Sequence, residues 1–132
     1  MTNKIFLRLI FLIFISFNVN AIEEFNFNIT EVEILENGNI FKGIKKGTIT
    51  SNDGIILNAN EFTYNKALNK INAKGEVKIE DKINKYVLFT DNAIYLKDKN
   101  IIITQGKSKA IDLNDDMIIE GDEFTYLSLI HI

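Results

Sequence analysis

Lys70-Ile71-Asn72-Ala73-Lys74-Gly75-Glu76-Val77-Lys78-Ile79 is the stretch that decides the fold. Ile71, Ala73, Val77 and Ile79 alternate with Lys70, Asn72, Lys74, Glu76 and Lys78. Period-two alternation puts one row of side chains on an apolar face and the other in water, the mark of a half-buried β-strand. Gly75 interrupts the apolar row, and a mid-strand glycine marks a bulge, a bend or a close approach to the backbone. Upstream, residues 55–64 are rich in β-branched and aromatic side chains that suit a pleated surface. Residues 65–69 between the two runs are few enough for a hairpin connection.

This two-strand unit repeats. Tyr64, Tyr95 and Tyr126 stand 31 positions apart. Ile56-Leu57, Val87-Leu88 and Ile118-Ile119 precede them at matching offsets, as do Asn60, Asp91 and Asp122. Gly75 and Gly106 follow the first two tyrosines at one spacing. A fixed period is the signature of stacked or meandering supersecondary units. Strands are expected over residues 55–65, 70–80, 85–96, 100–111 and 117–126. In the second copy Ile101 and Ile103 fall on the opposite face from Thr104, so both faces are expected to be partly covered there.

Outside the repeat, Phe25, Phe27 and Ile29 alternate, then Val32 and Ile34, with one slip of register between Ile29 and Val32. Asn37-Gly38 and Asn52-Asp53-Gly54 read as tight turns. Ile40-Phe41 and residues 47–50 read as short strands flanking the lysine-rich residues 42–46. The expected class is all-β and antiparallel, in one domain over residues 22–126.

Residues 1–21 read as a secretory signal peptide: Lys4 and Arg8, an apolar run, then Val19-Asn20-Ala21 as a small-residue cleavage site. Cleavage before Ile22 would leave a chain that works outside the cytoplasm. A membrane anchor would need about 20 apolar residues, and this run is shorter. At the other end, Leu127-Ser128-Leu129-Ile130-His131-Ile132 departs from the repeat and resembles the translation of a sequencing-library adapter. Residues 127–132 are therefore expected to be a non-native tail on a truncated chain.

The formal net charge is −3, and Lys4 and Arg8 leave −5 for the remainder. That argues against nucleic acid, which is held by lysines and arginines. The sequence has no Cys and one His, His131, so neither thiolate nor Ser–His chemistry is expected, and zinc ligation by Cys and His is excluded. Asp112, Asn114, Asp115 and Asp116 suggest calcium, but the Gly and distal Glu of a calcium loop are missing, so they read as a solvated turn. Asp122-Glu123 has Asn60-Glu61 and Asp91-Asn92 as counterparts, which points to a structural turn or bulge. No catalytic residue, metal site or cofactor is expected. The apolar face of Ile71, Ala73, Val77 and Ile79 has two readings, a closed core or the lining of an open groove. Residue types alone leave both open and make the closed core the commoner outcome.

The repeat resembles the OstA-like family of lipopolysaccharide-transport proteins. The resemblance lies in Asn60-Glu61-Phe62-Thr63-Tyr64 followed by Asn69-Lys70-Ile71 and Gly75-Glu76-Val77-Lys78-Ile79. It recurs in Asp91-Asn92-Ala93-Ile94-Tyr95 with Asn100-Ile101-Ile102 and Gly106, and in Asp122-Glu123-Phe124-Thr125-Tyr126. It covers residues 47–126. The resemblance implies a twisted, open β-jellyroll that clasps lipid acyl chains between two sheets, without catalysis, in the periplasm. The expected groove lining is Phe62, Tyr64, Ile71, Val77, Ile79 and Tyr95. The implied partners are lipopolysaccharide and other β-jellyroll proteins of the same machinery, joined edge to edge by strand addition. Among members, the start with Phe25-Asn26-Phe27 and Val32-Glu33-Ile34 is most similar to the N-terminal periplasmic domain of the outer-membrane assembly branch, which carries a barrel in cis. Many of those members have cysteines linking this domain to the barrel, and this sequence has none. The alternative is a structural or adhesive β-repeat protein with a closed core.

Overall fold

The computed structural model describes residues 25–128. The expected signal peptide and the last four residues, His131 among them, lie outside that range. Twelve strands form one antiparallel sheet that does not close into a barrel. In chain order they are β1 (Phe25–Ile29), β2 (Val32–Leu35), β3 (Ile40–Gly43), β4 (Gly47–Ser51), β5 (Ile55–Ala59) and β6 (Glu61–Asn65). There follow β7 (Lys70–Asp81), β8 (Tyr86–Leu96), β9 (Ile101–Gln105), β10 (Ser108–Asp112), β11 (Met117–Gly121) and β12 (Thr125–Leu127).

The path is a meander of seven long runs, each crossing a corner at mid-length. Only β7 and β8 cross it as single strands; the other runs break there, as β1 and β2 do at residues 30–31. The corner divides the sheet into two layers. One contains β1, β4, β5, the second half of β7, the first half of β8, β10 and β11. The other contains β2, β3, β6, the first half of β7, the second half of β8, β9 and β12. The layers face each other in a jellyroll-like arrangement, with the apolar core between them.

The 31-residue period is now physical: it is two runs, each turning one corner. At the central corner Gly75 and Glu76 of β7 stand opposite Asp91 alone, because Lys74 pairs with Asn92 and Val77 with Thr90. This two-against-one bulge bends the strand. Gly75 has φ +81°, and a Cβ there would lie 2.8 Å from Asn60 Nδ2. A side chain at 75 would meet both a backbone penalty and a clash. Asn60 also donates its backbone N–H to Gly75 O at 3.0 Å. Gly106, at φ +89°, faces Asp91 in the same way. The repeated acid or amide and the repeated glycine are thus the two sides of each corner.

The strand expectations for residues 70–80 and 85–96 fall within a residue or two of β7 and β8, and that for 117–126 corresponds to a run that breaks at residues 122–124. Those for 55–65 and 100–111 correspond to runs that break at Asn60 and at Gly106-Lys107, where the chain leaves one layer for the other. Leu127, placed by the sequence reading in a foreign tail, closes β12 opposite Ile101. Ser128 continues it, donating its N–H to Asn100 O at 2.8 Å. Backbone pairing asks little of side-chain identity, so the ladder runs past the break in the sequence pattern.

Candidate functional site

Register turns the apolar faces into two continuous ladders. In one layer Phe27, Ile49, Leu57, Ile79, Leu88, Ala110 and Ile119 stand in line across seven strands. In the other the line is Ile34, Phe41, Tyr64, Ile71, Tyr95, Ile102 and Tyr126. Alternation makes each ladder the inner face of its layer. The middle members Ile49, Leu57, Ile71, Ile79, Leu88, Tyr95 and Ile102 are buried. The end members are not: Phe27 is 39% exposed, Ile34 62% and Ile119 47%. Val32 and Met117 stand beside them on the inner face and are also exposed. Among the described residues the interior is sealed in its middle and exposed at the outermost strands β1, β2 and β11, while Tyr126 of β12 packs half-buried against the core.

All six residues expected to line a groove face this interior. Phe62, Ile71, Val77, Ile79 and Tyr95 are buried in its sealed part, and Tyr64 packs against them half-buried. The open part is formed by residues the sequence reading did not single out as lining, chiefly Phe27, Val32, Ile34, Met117 and Ile119. The signal for Ile119 was present, since the repeat aligns it with Leu57 and Leu88. Lys74 and Lys78 point away from the interior as expected, and Lys78 pairs with Glu80 at 2.9 Å.

Polar groups tie the layers together along the edge opposite the corners. Asp53, in the β4–β5 turn, accepts Lys97 Nζ at 2.9 Å and Tyr95 OH at 3.4 Å from the other layer. Ser51 Oγ donates to the same carboxylate from its own turn. Asp81, at the end of β7, accepts Tyr126 OH at 2.7 Å and Ser128 Oγ at 3.1 Å across the layers. Asn84 holds it locally through its backbone N–H at 3.0 Å and Nδ2 at 2.8 Å. Burial pushes the Asp53 carboxyl up, but the bonds from Ser51 and Lys97 and the Lys97 charge outweigh it and hold it below the usual range. Burial likewise opposes ionisation of Asp81, and the bonds from Asn84, Tyr126 and Ser128 prevail, so it too is held low. Burial, then the Asp53 charge, pushes the Tyr95 phenol up, and burial with the Asp81 bond does so for Tyr126, so both stay neutral donors.

A cleft of about 900 Å³ lies on the outside near the corners. Four lysines and four acids line it, among them Lys78, Lys109, Glu120 and Asp122, so it favours neither sign of charge. Among the described residues no group of three or more His, Cys, Asp or Glu is placed to hold a metal ion. No family model matches the sequence, and neither does any curated protein.

Proposed function

We propose that this chain is a non-enzymatic lipid conduit of the OstA-like lipopolysaccharide-transport kind, exported to the periplasm, that holds acyl chains between its two apolar ladders. The observation that carries the reading is that, among the described residues, the ladders stay exposed at β1, β2 and β11. An apolar inner face that stays exposed at Phe27, Val32, Ile34, Met117 and Ile119 suits a long apolar guest. Each buried methylene contributes about 0.8 kcal/mol, so a few acyl chains supply ample affinity. The mature chain carries −5 and offers a phosphorylated headgroup no net attraction, so the grip is on the chains. Among the described residues β1 and β2 at one edge and β11 and β12 at the other pair on one side only, and strand addition there suits other jellyrolls of the same machinery. The periplasmic N-terminal domain of the outer-membrane assembly protein LptD, with its barrel in cis, is the kind of member this reading favours. The soluble bridge LptA comes second and the membrane-anchored LptC third.

Purified lipopolysaccharide should bind the exported chain. A variant with Ile34→Asp and Ile119→Asp should lose most of that binding while keeping its β-sheet spectrum, because carboxylates would enter an apolar site unpaired. Unchanged binding in the folded double variant would overturn the proposal. The second reading, a structural β-repeat protein, draws on the sealed packing around Ile71, Val77, Ile79 and Tyr95. It expects no lipid binding by the parent chain at all.

A further inference from the structure

We infer that a two-point polar clasp, Asp53 with Lys97 and Tyr95, and Asp81 with Tyr126, holds the two layers shut, and that the interior opens laterally by releasing it. The layers are joined on one side by chain that runs through the corners, unbroken in β7 and β8, so they separate by hinging there and parting on the opposite side. The clasp lies on that opposite side, and it is built twice from one design. The acids sit at turns of the first layer. The donor common to both points is the repeat tyrosine, Tyr95 to Asp53 and Tyr126 to Asp81, and Lys97 adds a charged donor at the first. The Asp53 and Lys97 side chains are 4% and 11% exposed. The other ion pairs among the described residues join exposed lysines to acids of their own surface. Tyr64, the first tyrosine of the series, packs its ring among Phe25, Phe27 and Phe41. Polar bonds suit a seam that must part and re-form, since each group released can be taken up by water, whereas parting an apolar seam exposes its whole surface.

The clasp concerns the layers and stands whether or not the guest is lipopolysaccharide. Its test therefore uses hydrogen exchange and the dye anilinonaphthalene sulfonate, with no lipid. Asp53→Asn with Asp81→Asn weakens the acceptors, and Lys97→Met with Tyr126→Phe removes donors. Either pair should speed amide exchange at residues 95–97 and 126–128 by about ten- to a hundred-fold, the effect of losing one or two bonds to a charged group. Exchange at residues 71–79 should rise no more than the loss of global stability in the denaturant melt accounts for, and dye fluorescence should rise several-fold. Asp91→Asn, at a corner, should change neither. Unaltered exchange and dye binding in both folded pairs would overturn the clasp. Should a pair lose its cooperative transition, Tyr126→Phe alone decides: faster exchange confined to 126–128 supports the clasp, and uniformly faster exchange or none contradicts it.

Discussion

The middle of the interior and its two ends are rungs of the same ladders, and they differ only in what lies beyond them. Leu57, Leu88 and Ile119 are repeat equivalents in line across one layer, yet the first two are buried and Ile119 is half in water. Residue type is nearly constant along this series, so a neighbouring strand decides whether an inner position becomes core or lip.

Val77→Asp should break the comparison most severely. Val77 is buried at the central corner, and an unpaired carboxylate there should cost about 4 kcal/mol or more in denaturant unfolding. The same charge at Ile119, already open to water, should cost about 1 kcal/mol or less. Equal losses at both positions would mean that the end is as closed as the middle.

Lys97→Met comes next, at about 3 kcal/mol, because it leaves the Asp53 carboxylate buried without its counter-charge. Gly75→Ala should follow at about 2 kcal/mol, the sum of a strained positive φ and the approach of Asn60. Thermal and denaturant melts of the two variants check both figures.

The pH dependence is smaller and more diagnostic. Asp53 and Asp81 are held below their ordinary value of 3.8. Their folded-state pKa is depressed, so the stability they contribute is present above the unfolded pKa and is lost as pH falls from there through the folded pKa. Denaturant midpoints should therefore drop as pH falls below about 4. Asp53→Asn with Asp81→Asn should flatten that drop. A parent-like acid slope in the double variant would remove the two acids from the account.

Much of this fold could be read from the sequence, because the repeat records it. Alternation in residues 70–79 gave the strand, and Gly75 gave the bulge. The slip between Ile29 and Val32 was the first corner seen edge-on. The opposite-face placement of Ile101 and Ile103 also appears, as both stand half-buried beside Leu96 and Ile94 on the outer face. The folding of the sheet into two layers was not legible. A corner at Asn60 leaves the local pattern of apolar residues almost unbroken, and only register shows that β5 and β6 belong to different layers. The clasp was invisible for a related reason. Asp53 sits in an ordinary turn sequence, and its partner Tyr95 lies 42 residues away. Tyr64 could be aligned with Tyr95 and Tyr126 by spacing, but its lesser burial depends on its place near the end of the stack.

The most direct test of the conduit is the pattern of capture by a photo-crosslinking residue placed at Ile34, Ile119, Val77, Lys74 and Lys78 in turn, in cells that make lipopolysaccharide. The account predicts capture of lipopolysaccharide at Ile34 and Ile119, where the inner face is open. It predicts weaker capture at Val77, which an acyl chain reaches only when the layers part, and none at Lys74 or Lys78 on the outer face. Capture that is absent at Ile34 and Ile119, or as strong at Lys74 and Lys78 as at the lips, would contradict it.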